Sequence, residues 1–444
     1  MKMTVRGIIF FGLYFVLITL PLDIALLANT TRVPKPFIVE VAVGAGFIGF
    51  SLMAMEFALI SRIEAASQPF GEDSLQLFHN IMGVVALGLL LFHPIILVLN
   101  GYPANCWLNP FASCGNLATT TASLSLYALL LLVVSSLWQK RLRIPYEAWQ
   151  VMHGLLALFI LIASLFHIFI LGRYTSTGLM KAMWLMYAVI VVGLILYYKI
   201  VTPLLRWNKR WQVAENRLER GDSHTLVLEP DGHDGFTFEP GQFAWIKKGS
   251  TPFGIGQHPI SFSSSGDVPP GGSIAFTIKK LGDWSSELVP KIRVGDYMWI
   301  DGPHGVLSSD REQGMGYILI AGGIGITPLY SMCQTLAERG DARPVILFYG
   351  GEDWESLTFR EEIEQLKNDL DLTIVFVLAN PAEGWEGEDG FIDKEIIERY
   401  LPEQYQRYVY FVCGPKPLMD SMEVALPALG VPAEKVFSER FGMV

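Results

Sequence analysis

A chain of 444 residues has room for two or three domains. Hydrophobic residues make up 51% of it and charged residues only 17%, well under the roughly 25% charged content usual of soluble domains. The formal charge of −10 gives no basis for nucleic-acid binding, and four cysteines over this length exclude a disulfide-framed fold.

Six apolar runs occupy residues 7–28, 37–60, 76–99, 118–138, 150–171 and 182–205. Each is near the roughly 20 residues a membrane-spanning helix needs. The first is too long for a cleavable leader and lacks a small-residue cleavage site. Lys2 and Arg6 precede the first run, Lys140, Arg141 and Arg143 separate the fourth from the fifth, and Arg206, Lys209 and Arg210 follow the sixth. If the spans alternate, all three groups share one side, which the positive-inside rule makes cytoplasmic. Arg32, Lys35, Arg173 and Lys181 dilute the asymmetry. Both termini are thus expected inside a plasma or inner membrane, with the second half of the chain in the cytoplasm. The uncharged 100–117 loop faces out and holds Cys106 and Cys114, either a disulfide or two unpaired thiols. Asn29-Thr30-Thr31 is a glycosylation sequon on the same face, with no meaning in a bacterium.

The third run contains His79 and His93, and the fifth His153 and His167. Both pairs are fourteen residues apart, nearly four helical turns, so the two histidines of a pair share a helix face about 21 Å apart along the axis. The third and fifth spans run in the same direction. His79 therefore stands level with His153 towards the cytoplasm, and His93 with His167 towards the outside. Ionisable groups inside spans are costly and usually functional. One such histidine is as readily satisfied by a neighbouring carbonyl, but two copies of one spacing are what two bis-histidine haems require. Asp23 and Glu56 lie in the first and second runs, where proton handling competes with plain local pairing. Arg62 and Arg173 stand near span ends, either meeting haem propionates or anchoring the interface.

From Trp211 to about Ile300 the chain reads as short strands broken by turns, with alternation visible in Ser273-Ile274-Ala275-Phe276-Thr277-Ile278. This predicts a small antiparallel barrel. From Tyr317 the pattern becomes strand, glycine turn, helix, strand. Strands are expected at 317–321, 345–349, 373–378 and 408–412, with a helix such as 359–369 between them, making a parallel nucleotide-binding sheet. Gly322-Gly323-Ile324-Gly325-Ile326-Thr327-Pro328 follows the first of these strands. Its glycines let a phosphate approach the backbone and the N-terminus of the next helix, although a tight turn without a ligand would look similar.

Several motifs then fall in a known order. His258-Pro259-Ile260-Ser261, Gly282-Asp283-Trp284-Ser285, Asp301-Gly302-Pro303-His304-Gly305, the Ala321–Pro328 loop, Cys413-Gly414-Pro415 and the near-terminal Phe441 resemble the flavin and nicotinamide elements of the NADPH oxidase and ferric reductase family. With the histidine pattern and Tyr146-Glu147-Ala148-Trp149, the resemblance covers nearly the whole chain. It implies a transmembrane haem domain over 1–206, an FAD-binding barrel over 207–312 and an α/β Rossmann-like NAD(P)H-binding domain over 313–444. It also implies roles. His258, Pro259, Ile260 and Ser261 hold the flavin, with Ser261 near its reactive nitrogen. Lys280, Gly282, Asp283, Trp284 and Ser285 approach the FAD pyrophosphate, although Lys280 reads equally as an exposed strand lysine. Gly322, Gly323, Gly325, Thr327 and Pro328 cradle the nicotinamide pyrophosphate. Cys413, Gly414 and Pro415 flank the nicotinamide, and Phe441 covers the flavin ring. Cys333 reads as core.

The implied cofactors are FAD, two b-type haems and NADPH or NADH. Acidic Glu352 and Asp353 after the second sheet strand lean towards NADH, or towards little discrimination between the two, since acid suits a ribose 2′-hydroxyl. The expected activity is oxidoreduction across the membrane, ending on O2 to give superoxide. The rivals are a ferric-chelate reductase and an electron-supplying module for an outer redox protein docking near Trp107 and Phe111. A haem sensor without turnover fits the complete flavin and nicotinamide elements poorly. With neither a calcium-binding loop nor a regulatory extension in view, activity is expected to be constitutive. Oligomeric state is open.

Overall fold

The computed structural model describes residues 5–28, 35–63, 67, 70–109, 117–253 and 256–440. It divides into two compact units, one running to Thr202 and the other beginning at Pro203.

The first unit is six helices: α1 (Val5–Ala28), α2 (Phe37–Leu59), α3 (Glu72–Leu99), α4 (Leu117–Leu137), α5 (Tyr146–Leu171) and α6 (Gly178–Leu196). The sixth continues through a π-helical turn, Tyr197–Val201, to Leu205. All six spans are long and apolar enough to cross a membrane. Large apolar side chains such as Leu13, Leu155 and Leu185 point outward, which costs nothing against lipid tails. The interior is packed by Phe47, Phe50, Ile160, Trp184 and Tyr187. Helix α2 approaches α3 through glycines. A Cβ at Gly49 would lie 2.9 Å from Leu90, and one at Gly46 would lie 3.2 Å from Nδ1 of His93. Small residues are what allow helix backbones to close up in this way.

Contacts within the bundle define its two ends. Arg62, just beyond α2, lies over the ring of Tyr198, 4.9 Å from its centroid, where α6 finishes. At the other end the Tyr174 hydroxyl, just after α5, donates to Glu40 in the first turn of α2 at 2.7 Å. Lys35, before α2, contacts the Tyr102 hydroxyl beyond α3. Helices α3 and α5 therefore run parallel, both opposite to α2. The end where α6 finishes is called proximal below, and the other distal.

The second unit holds two sheets. Strands β1 (Arg210–Glu219), β2 (Ser223–Pro230), β3 (Phe243–Lys248), β4 (His258–Ser261), β5 (Ile274–Lys279) and β6 (Tyr297–His304) pair antiparallel in the order β4-β3-β6-β1-β2-β5. A bridge between Phe262, just past β4, and Phe276 of β5 curls the sheet on itself. Ile274, Phe276 and Ile278 alternate inward to join Trp211, Leu226 and Phe262, as a two-residue side-chain period dictates.

The other sheet consists of β7 (Tyr317–Gly322), β8 (Val345–Gly351), β9 (Leu372–Leu378), β10 (Glu388–Asp389), β11 (Val409–Gly414) and β12 (Val436–Arg440). They lie parallel in the order β10-β9-β8-β7-β11-β12. Helices α7 (Ile326–Glu338), α8 (Arg360–Gln365), α9 (Lys394–Tyr400) and α10 (Lys416–Ala428) connect them. Strand β7 is buried along its whole length, as a central parallel strand with both faces covered must be. The expected fold class is thus observed: a six-helix apolar bundle, an antiparallel barrel-like sheet and a Rossmann-like α/β sheet. The helix expected over 359–369 is shorter. Phe359 takes a left-handed φ of +61° ahead of α8, and the last part tightens into a 3₁₀ turn at Leu366–Asn368.

The two sheets are pinned together along α7. The Ser331 hydroxyl donates to the Ser264 carbonyl at 2.6 Å, and Gly266 N–H donates to the Thr335 hydroxyl at 2.8 Å. Arg339 reaches both Asp267 and Asp310 at 2.6 Å. Its guanidinium holds the Asp267 carboxyl below the usual carboxylate range.

Candidate functional site

In the bundle the four histidines form two sets at two depths, and the protein grips every ring by Nδ1. At the proximal end His79 of α3 abuts the Glu56 carboxylate of α2, and His153 of α5 lies 3.0 Å from the Ser136 hydroxyl. At the distal end His93 lies 2.9 Å from the Ala42 carbonyl and His167 lies 2.9 Å from the Ala118 carbonyl. A carbonyl only accepts, so Nδ1 carries the proton in His93 and His167. Ligation through these rings therefore falls to Nε2, with the Nδ1 partner fixing tautomer and orientation.

The rings of His79 and His153 stand 6.3 Å apart, centroid to centroid. A metal–nitrogen bond of about 2 Å on either side plus the half-widths of two imidazoles spans about 6 Å, so one axially ligated ion fits between them. Trp149 packs on His153 with ring centroids 5.1 Å apart. His93 and His167 line a single cavity of about 420 Å³ with Gly46, Phe50, Leu129 and Ser164. Lys35, Tyr102, Arg173 and Tyr174 line the same cavity. Among the described residues no three His, Cys, Asp or Glu side chains gather into a metal-ion site. A group bound by each pair must bring its other donors with it, which a porphyrin does. Asp23 lies exposed on α1. Cys106 is buried and disulfide-bonded. Cys114, the 29–31 sequon, Arg32, Phe111 and the Trp107 side chain lie outside the described residues.

In the curled sheet, β4 pairs with β3 so that Ser261 faces Phe243 and His258 faces Ile246. His258 and Ser261 are buried, whereas Pro259 and Ile260 are half-buried. Trp284 opens a π-helical turn beyond β5 and stacks on His258, with centroids 4.0 Å apart and planes 20° from parallel. Two motifs distant in sequence thus meet. The Ser285 hydroxyl accepts from the N–H groups of Leu281 and Gly282, both at 2.9 Å, and so holds the turn around Gly282 and Asp283. Lys280 sits 3.8 Å from the Asp222 carboxylate. In the second half of β6, Asp301 is buried between Arg206 at 2.6 Å and His304 at 2.9 Å.

The glycine loop after β7 is built against the end of β11. A Cβ on Gly325 would fall 2.2 Å from the Cys413 carbonyl oxygen, and one on Gly414 would fall 3.1 Å from Gly322 N. Gly322, Gly325, Cys413 and Gly414 therefore come together. Gly323 has a φ of +53°, which suits glycine. Thr327 donates to the Ile324 carbonyl at 3.0 Å, and Pro328 sits in the first turn of α7, where its missing N–H matters least. Cys333 is buried in α7, and burial pushes its thiol up to about 12. Phe441 lies outside the described residues. One acid escaped the sequence reading. Glu439 of β12 is buried and sits in register with Cys413 of β11. It is the one buried residue of a strand whose other members are half-buried or exposed, so no local pattern in the sequence marks it.

Glu352 and Asp353 are exposed after β8, and Asp353 accepts from Ser356 N–H at 2.8 Å. The nearby base, Arg360, is already engaged, donating to the Trp354 carbonyl at 2.8 Å with its guanidinium 4.2 Å from the Trp354 ring centroid.

Residues 45–164 match the family model of the ferric reductase like transmembrane component, and residues 319–423 match that of the oxidoreductase NAD-binding domain. The chain has the fused architecture of the NADPH oxidase and ferric reductase family. It is an integral membrane protein with an FAD- and NAD(P)H-binding reductase module. Among curated relatives, the reductase component of propane 2-monooxygenase from Rhodococcus jostii is 30% identical over 228 residues, covering 50% of this chain and 60% of the relative. NADH–cytochrome b5 reductase 1 of Arabidopsis thaliana is 32% identical over 150 residues, covering 33% and 53%. This chain thus spans a little over half the length of these relatives. Among solved structures, the FAD/NAD-binding domain of a nitric oxide dioxygenase from Vibrio cholerae is similar at 22% identity and a TM-score of 0.47, covering 53% of this chain and all of that domain.

Proposed function

We propose that this protein carries electrons from cytoplasmic NAD(P)H through FAD and two b-type haems to an acceptor beyond the membrane, most readily O2, which becomes superoxide. The observation that carries the reading is the two-level set of imidazoles, each gripped at Nδ1, with the proximal pair 6.3 Å apart. His79 and His153 would hold the proximal haem, and His93 and His167 the distal one. When bound, the flavin accepts a hydride's two electrons and releases them singly, and the haems carry single electrons across the apolar layer.

The chain's own residues do the rest. The backbone at Gly322, Gly323 and Gly325, with the N-terminus of α7, receives the nicotinamide dinucleotide's pyrophosphate, and Thr327 and Pro328 shape that turn. Cys413 and Glu439, with Gly414 and Pro415 behind them, place the nicotinamide at the strand ends where such sheets bind ligands. His258, Pro259, Ile260 and Ser261 hold the flavin, with Trp284 braced on His258. Gly282, Asp283, Ser285 and Lys280 form the turn towards its pyrophosphate, and Phe441 is assigned to the flavin face. The exposed acids Glu352 and Asp353, and the prior engagement of Arg360, favour NADH.

His93 and His167 would hold the distal haem, which would supply single electrons to an acceptor seated in the cavity that they line. Lys35 and Arg173 make the distal cavity cationic, which suits oxygen reduced to an anion. It also suits an anionic ferric chelate, the second reading. Outward electron movement runs down an inside-negative potential, at about 2.3 kcal/mol per charge per 100 mV, and dissipates it, so protons must follow to sustain turnover.

The test uses intact protein purified with FAD and haem. It should show low-spin b-type absorbance that NADH reduces, and dismutase-sensitive cytochrome reduction in air. Chelate reduction without superoxide would move the assignment to iron. A protein without haem absorbance would leave only a membrane-tethered flavin reductase.

A further inference from the structure

The two levels of histidines differ in what grips them. Both distal rings donate Nδ1–H to backbone carbonyls, at 2.9 Å each. At the proximal level His153 meets a serine hydroxyl, but His79 meets a carboxylate. Glu56 is buried in the last turn of α2, at the proximal end of the bundle, and its carboxylate and the His79 Nδ1 have no other hydrogen-bonding partner among the described residues. A lone buried carboxylate costs several kcal/mol unless paired, so its placement against one imidazole of the four calls for a purpose.

A carboxylate accepting from the outer nitrogen of an axial histidine raises the basicity of the ligating nitrogen. It gives the ring imidazolate character and puts negative charge a few ångströms from the iron. Both effects favour the ferric form. Backbone carbonyls do this far more weakly, because they carry only a dipole. We infer that Glu56 is a positioning residue that lowers the reduction potential of the proximal haem relative to the distal one. The inference rests on the haem assignment above. Its consequence is a built-in slope: an electron reaching the proximal site finds the distal site more favourable, so the direction of transfer is set inside the bundle by one carboxylate rather than by the acceptor.

The experiment is a potentiometric titration of the intact, haem-loaded protein followed by its α-band, with Glu56→Gln and Glu56→Asp. Wild type is expected to titrate in two steps. In Glu56→Gln, which keeps a carbonyl acceptor but loses the charge, the lower step should rise so that the ferric-to-ferrous ratio at fixed potential falls about tenfold, roughly 59 mV for a one-electron couple. The upper step should stay in place. Glu56→Asp keeps the charge and should hold the lower step near wild type. An unmoved lower step in Glu56→Gln overturns the inference, as does an equal rise in Glu56→Asp. Electron paramagnetic resonance of the ferric wild-type protein tests the idea without any variant. Two low-spin signals are expected, one with the narrower g-spread of an imidazolate-like ligand, and two indistinguishable signals overturn it. Wild-type protein with no haem signal overturns the haem assignment itself, a failure distinct from the others.

Discussion

Gly325 gives the sharpest test of the proposed nucleotide loop. Its φ of −59° and ψ of −8° are ordinary helical values that any residue accepts. What the position lacks is room. An added Cβ would lie 2.2 Å from the carbonyl oxygen of Cys413, 2.6 Å from its carbonyl carbon and 2.8 Å from the Cα of Gly414. These are main-chain atoms of β11, which is hydrogen-bonded on one side to β7 and on the other to β12. The strand cannot yield, so the loop must retreat. Overpacking costs about 1–3 kcal/mol, and a rigid partner puts Gly325→Ala in the upper part of that range. At about 1.4 kcal/mol per tenfold, a loss of about 2–3 kcal/mol in binding is roughly a 30- to 150-fold rise in KM for the nicotinamide nucleotide. Gly323→Ala is the internal control. Its φ is +53° but nothing lies within 4 Å of the added carbon, so only about 1 kcal/mol of backbone strain is expected. The assay is steady-state NADH oxidation by the intact protein with an artificial acceptor, with flavin content and unfolding temperature measured alongside. A Gly325→Ala protein with wild-type KM and stability would refute the argument. So would a Gly323→Ala protein impaired more than Gly325→Ala.

Other expectations follow from the same geometry. His167→Leu should halve the haem bound per chain and lower acceptor reduction at least tenfold, while NADH still reduces the remaining haem, as read by pyridine haemochrome and stopped-flow absorbance. Glu352→Arg, at an exposed position, should narrow the ratio of kcat/KM for NADH over NADPH by tenfold or more; an unchanged ratio removes that acid from the ribose site. The Arg339–Asp267 link should respond to acid. Because the folded Asp267 value lies below its unfolded one, the stabilisation is complete above the unfolded carboxylate pKa of about 3.9 and fades as pH falls through the folded value. With side chains 37% and 41% exposed, the pair is worth about 0.2–1 kcal/mol. Thermal unfolding of Arg339→Leu should therefore differ from wild type at pH 7, and the difference should begin to shrink only below about pH 3.9 and close once pH falls under the folded Asp267 value. Cys333, raised to about 12 by burial, should resist alkylation at pH 8 until the protein unfolds, which mass spectrometry would read.

Much of the architecture was legible because it rests on local pattern. Twenty-residue apolar runs, a fourteen-residue histidine spacing and a strand running into Gly322–Gly325 each declare themselves within one element. What could not be read depends on which elements meet. Ala42 and Ala118 anchor His93 and His167 through backbone carbonyls, and every residue has one, so no side chain advertises the role. Glu56 was visible as a buried acid, but its pairing with His79 needs the packing of α2 on α3. The stack of Trp284 on His258 joins motifs on strands at opposite ends of the sheet order, β4 and β5. Glu439 hid because its significance comes from the parallel register that sets it beside Cys413.

The fastening of α7 has a further consequence. The helix that begins at the glycine loop is bolted to the flavin-side sheet through Ser331, Thr335 and Arg339. The reductase therefore behaves as a fixed jig rather than a clamshell. With the flavin and nicotinamide seated as proposed, turnover should be paced by arrival and departure of the nucleotide instead of by a closing motion.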